Sequence, residues 1–188
     1  MSDSAQLLLR LALLALATVI VQFAGVSQVQ VFGVSADLAP LVVVSVGLLL
    51  GAVPGAIMGF GMGLLVDTVL LQTLGVSSLI LLSLGYGAGR LRELRDPASA
   101  LTPIAVGAAA SALAAIGFSL MQFLLGVDAP VSLLLIREIL LYVLVNAIIA
   151  LPVYGLVRRA LQPLLPDDPR RRRRRAYVTG GLSPLSRS

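Results

Sequence analysis

Apolar residues dominate this chain in long stretches, broken by short clusters rich in Gly, Pro, Gln and Asp. A bilayer core takes about 20 apolar residues as a helix, with a range of roughly 17–25. On that ruler the pattern predicts six spans, over residues 7–26, 38–50, 54–71, 76–88, 102–125 and 131–157. The second, third and fourth are short, and only a few Gly-containing residues separate them. A count of five, merging or omitting one of them, is the alternative. The expected fold is therefore all-α, a polytopic bundle of six transmembrane helices over residues 1–161, followed by a disordered tail over 162–188. The loops run to about ten residues at most, too short for a separate catalytic module.

Composition supports this reading. Of the 188 residues, 58% are hydrophobic and 12% charged, where a soluble domain is about half apolar and one quarter charged. That composition argues against a soluble enzyme and excludes disorder over most of the chain. There is no Cys and no His. That removes disulfides, thiol nucleophiles, thiolate and imidazole metal sites, and the usual general base at neutral pH.

The net charge of +5 has a location. Arg10, Arg90, Arg92, Arg95, Arg137, Arg158 and Arg159 are balanced by Asp3, Asp37, Asp67, Glu93, Asp96, Asp128 and Glu138. The excess lies in the tail, in Arg170, Arg171, Arg172, Arg173, Arg174, Arg175 and Arg187 against Asp167 and Asp168. With six spans and the N-terminus inside, every arginine of the body except Arg137 falls at a cytoplasmic end. That is a positive-inside pattern with both termini cytoplasmic. Five spans would put the 90–95 arginines and the tail on opposite sides. The N-terminal apolar run reads as a retained span, because Asp3 precedes Arg10 and further spans follow.

Two groups of residues depart from plain apolar helix. Gly51, Gly55, Gly59 and Gly63 recur every four residues, and Gly85 and Gly89 repeat the spacing. Such a face lets another backbone approach closely, and it serves internal packing or a partner helix. Asp67 lies near the outer end of the third span, where a carboxylate costs up to about 2.5–3.5 kcal/mol. Arg137 is the one cation at that depth, with Asp37 and Glu138 near the same level. An outer polar cluster of Asp37, Asp67, Arg137 and Glu138 is expected, either as a substrate, ion or proton site or as an ion pair that fixes helix register. Asn146 and Gln122 are expected to make interhelical hydrogen bonds. Tyr86 and Tyr154 read as interfacial anchors. The juxtamembrane run Arg170, Arg171, Arg172, Arg173, Arg174 and Arg175 fits anionic lipid headgroups, not nucleic acid.

Residues 36–92 carry a family resemblance. Asp37 and Leu38 open an apolar span. A Gly-rich helix follows with Gly59, Gly63, Leu64 and Asp67. Then come Leu74 and Gly75, and finally Gly85, Tyr86, Gly89 and Arg90. In order and spacing this resembles the rod shape-determining protein MreD family, as does the pair Arg137–Glu138 in the last span. Ala36 stands where that family usually has Pro, Ser78 where Asn is frequent, and the arginine tail lies outside the pattern.

The resemblance implies a non-enzymatic inner-membrane component of the bacterial cell-elongation machinery. It would bind MreC and, through it, a RodA-type glycosyltransferase, a class B penicillin-binding transpeptidase and the MreB cytoskeleton. It would need no cofactor. It also implies a fold similar to the S component of energy-coupling-factor transporters, and hence the rival reading of a solute-binding subunit. That rival needs an outward cavity lined by polar and aromatic groups, and the sequence offers no Trp and few aromatics. An intramembrane enzyme would need a matched acid, base and nucleophile, which the spans do not supply.

Overall fold

The computed structural model describes residues 3–25, 30–31, 34–94, 101–124, 126 and 133–164. The predicted tail and its arginines 170–175 lie outside the described residues. Six α-helices follow one another: α1 (Asp3–Ala24), α2 (Leu38–Leu50), α3 (Ala52–Val69), α4 (Val76–Leu94), α5 (Leu101–Leu124) and α6 (Leu133–Leu161), closed by a 3-10 turn at Gln162–Leu164. Between α1 and α2, Gln30–Val31 (β1) pairs antiparallel with Val34–Ser35 (β2), a small ladder that the apolar pattern did not announce.

The six helices match the six expected segments, but they are not equivalent as membrane spans. Helices α1, α3, α5 and α6 are long and apolar enough to cross a bilayer. Helix α2 has 13 residues, or about 20 Å at 1.5 Å per residue, well short of the ~30 Å hydrocarbon thickness. It is buried all round, from Ala39 through Leu49, and it packs against every other helix. A helix apolar on all sides belongs at the centre of a bundle, and there its length need not match the lipid. Helix α4 runs past its apolar part to Leu94, carrying Arg90, Arg92 and Glu93 in its last turns. The sequence pattern ended it near Ala88 because charges interrupt the apolar run, yet long arginine stems let a helix continue to the interface.

The helices alternate in direction. Gly89, Gly85, Gly59 and Gly63 set α4 antiparallel to α3, while Gly107 against Ala150 and Ser111 against Asn146 set α5 antiparallel to α6. The main core combines Leu11, Ala15 and Val19 of α1 with Leu41, Val43 and Val46 of α2, Met58 and Met62 of α3, Leu81 of α4, and Val153, Val157 and Leu161 of α6. A second cluster of Val44, Leu48, Ala88 and Ala110 joins α2, α4 and α5, with Tyr154 packed against it. Outward faces are mostly large and aliphatic, such as Leu13, Leu16 and Ile20 on α1, Ile116 and Leu120 on α5, and Leu140, Leu144 and Ile148 on α6. Lipid tails are as apolar as these side chains and cover them without penalty. Pro152 sits on the exposed side of α6, and the helix continues through it.

Candidate functional site

The glycine face is packed inside the molecule. A methyl group at Gly59 would collide with the Leu81 carbonyl, and one at Gly63 would meet the backbone of Ser78. Gly55 and Gly85 face each other reciprocally, and Gly89 lies on the backbone of Ala52 and Gly51. Gly47 of α2 joins the same seam against Gly85 and Gly89. Helices α2, α3 and α4 therefore meet backbone to backbone, which is the packing use of small residues in membranes. Gly51 does a different job. With φ of 102° it turns the chain from α2 into α3, a conformation that favours glycine.

Asp67 is fully buried, and its partners are backbone amides. Its Oδ2 accepts from the Gly75 N–H at 2.7 Å and its Oδ1 from the Ser77 N–H at 3.3 Å. Its own carbonyl accepts from the Gln72 N–H. One residue thus closes the α3–α4 turn and caps the start of α4. The first amides of a helix have no intrahelical acceptor and carry partial positive charge. A carboxylate aimed at them is stabilised without any basic side chain. The turn it closes holds Leu71 at φ of 52° with its side chain 92% exposed. Beside it the Ser77 and Ser78 hydroxyls are buried and find no hydrogen-bond partner among the described residues.

Asp37 organises the start of α2. Its Oδ1 accepts from the Ala39 N–H at 3.0 Å, an N-cap bond. Its Oδ2 accepts from the Tyr142 hydroxyl at 3.3 Å. Its backbone N–H donates to Asn146 Oδ1 at 3.1 Å, and Asn146 Nδ2 donates to Ser111 Oγ at 3.0 Å. From the other side Gln22 Nε2 donates to the Ala36 carbonyl and Gln22 Oε1 accepts from the Leu38 N–H, both at 2.9 Å. Helices α1, α2, α5 and α6 are tied together at this point. The sequence placed Asn146 in an interhelical bond, which it makes. Gln22, Tyr142 and Ser111 were not singled out, and Gln122 is exposed.

Of the four residues expected in one outer cluster, the structure makes two separate arrangements and leaves two outside. Asp67 and Asp37 each cap a helix. Arg137 and Glu138 are exposed, and among the described residues Arg137 joins no ion pair. The reason is physical: Asp67 meets amide donors on both oxygens at the start of α4, and Asp37 turns to the Ala39 amide and the Tyr142 hydroxyl, while Arg137 stays exposed. A similar device operates at the opposite end, where Glu93 Oε1 accepts from the Ala52 N–H at the start of α3 at 3.4 Å and Glu93 Oε2 pairs with Arg90 at 2.8 Å. Arg92, Arg158 and Arg159 share that end through the last turns of α4 and α6.

A cavity of about 150 Å³ opens beside Asp37, between α1, the start of α2 and the end of α3. Val19, Phe23, Ala39, Val66 and Leu70 give it apolar walls, and Gln22 and Asp37 supply its polar groups. Among the described residues no three acidic or metal-ligating side chains gather in one place.

A family model described as rod shape-determining protein MreD matches residues 1–160, the whole helical body up to the last turn of α6. No curated protein and no solved structure matches the chain.

Proposed function

The chain belongs to the MreD family of cell-shape membrane proteins, and from that premise we propose that it is a non-enzymatic scaffold of the bacterial cell-elongation machinery. In this reading it lies in the inner membrane with both termini cytoplasmic and binds an MreC-type protein. Through that protein it supports lateral peptidoglycan synthesis by a RodA-type glycosyltransferase and a class B penicillin-binding transpeptidase, in register with an MreB-type cytoskeleton. The tail arginines 170–175 then lie against anionic headgroups of the inner leaflet.

The observation that carries the reading is the family match over residues 1–160. The design of the bundle supports it. Asp37, Asp67, Glu93, Gln22 and Asn146 cap or brace helices, which suits a rigid platform more than a reaction site. The fully buried Asp67 and the half-buried Asp37 each accept hydrogen bonds that hold a helix start. The arginines at one end of α4 and α6 fit the cytoplasmic side.

The test is affinity purification of the full-length protein from native membranes, with identification of what accompanies it. Recovery of an MreC-type protein with the synthase pair is the expected result. Recovery of a vitamin-transport energising module with no MreC-type protein would overturn the scaffold reading.

A further inference from the structure

We propose that the cavity beside Asp37 is a binding site for a small ammonium group with a short apolar body, held by the Asp37 carboxylate. The inference goes beyond the scaffold reading and does not depend on which protein partner the chain takes.

The chemistry of the walls selects the ligand. Gln22 has both ends of its amide committed, to the Ala36 carbonyl and the Leu38 N–H. The carboxylate has acceptor capacity left. It receives the Ala39 N–H and, at 3.3 Å, the Tyr142 hydroxyl, whereas two carboxylate oxygens offer about four acceptor positions. Among the described residues no arginine pairs with it. A carboxylate facing apolar surface is costly to hold ionised unless a cation or further donors complete it. The helix start behind Asp37 supplies part of that compensation, and among the described residues no cavity-wall side chain donates to it.

An anion is excluded by the charge. A hard metal cation needs about six oxygen ligands, and Val19, Phe23, Val66 and Leu70 offer no side-chain oxygen. An ammonium group needs few acceptors, and its carbon stem would lie against those same side chains. Cavities of about 150 Å³ accept ligands of benzene size, so a stem of about three carbons fits. The site lies at the ends of the apolar spans of α1 and α3, and in the membrane-spanning reading such ends meet the headgroups. The ammonium therefore comes either from a free small amine or from an aminophospholipid headgroup.

The test uses full-length protein in nanodiscs of phosphatidylglycerol alone, with n-propylammonium as the probe and thermal unfolding as the readout. The expected result is a saturable rise in midpoint of about 5 °C or more at roughly hundredfold excess over the dissociation constant. n-Propanol and propionate should give no comparable rise. Asp37→Asn keeps the N-cap, since Asn caps as well as Asp, and should abolish the response. Val66→Phe fills the cavity with Asp37 intact and should abolish it too. Adding phosphatidylethanolamine separates the sources. A headgroup ligand raises the midpoint by itself and removes the response to the probe. A free-amine ligand leaves the response as it was. An equal response to propanol, no response in the wild-type protein, or a full response in either folded variant would overturn the proposal.

Discussion

Helices α2, α3 and α4 touch backbone to backbone, while α1, α5 and α6 join the bundle through side chains and turn leucine and isoleucine outward. The first group is also capped by carboxylates: Asp37 at α2, Glu93 at α3 and Asp67 at α4. Close approach and capping belong together. When two backbones pack without Cβ atoms between them, a small slide of either helix ruins the fit. Asp67 of α3 on the start of α4, and Glu93 of α4 on the first amide of α3, restrain that slide, while Asp37 caps its own helix. The second group meets its neighbours through side-chain atoms, from Leu11 and Val19 on α1 to Gly107 and Ala110 on α5, and turns its large residues to lipid, so it tolerates more adjustment.

The largest effect is expected where the backbones are closest. Gly59→Leu would drive a side chain into the Leu81 carbonyl and should abolish recovery of folded, monodisperse protein. The matched change in the other group, Leu144→Ala, removes a side chain that is 58% exposed and should alter stability by less than about 0.5 kcal/mol. Size-exclusion profiles and thermal unfolding of the two variants check the contrast. If Gly59→Leu folds and unfolds like the wild type, α3 and α4 do not depend on close approach.

Next in size is the cap. Asp67→Ala leaves the Gly75 and Ser77 amides without their acceptor, a loss of about 3 kcal/mol for two stranded donors. Asp67→Asn keeps one oxygen and should lose about half of that. Arg137→Ala should leave unfolding unchanged, because Arg137 joins no ion pair among the described residues. An Arg137→Ala loss equal to that of Asp67→Ala would restore the expected ion pair.

These arrangements were unequally legible in the sequence. The bounds of α2 at Leu38–Leu50 follow directly from the apolar run, and Asp67 stood out as a buried charge. Its partner did not. Reasoning from depth looks for an opposite charge, and Arg137 was the one available. The donors actually used are backbone amides, which have no letter of their own. Their trace was the Leu74–Gly75 turn eight residues after Asp67, a helix start within reach. Asp37 poses a harder problem. Tyr142 and Asn146 lie 105 and 109 residues further on, and only the fold brings such positions together. The same limit hid the cavity, whose walls come from three helices.

The smallest expected effect separates the glycine face from glycine content. Gly87 lies on the same helix as Gly85 and Gly89 but points outward, and no atom of the described residues lies within 4 Å of where its Cβ would be. Gly87→Ala removes backbone entropy from the unfolded chain and meets no neighbour, so it should stabilise by up to about 1 kcal/mol. Gly89→Ala, two residues on, would press against the backbone of Ala52 and Gly51 and should destabilise. The opposite signs are the diagnostic, read as opposite shifts in unfolding midpoint. A loss at Gly87 matching that at Gly89 would mean that the outward face of α4 is itself closely packed in the assembled protein, against a helix from another chain.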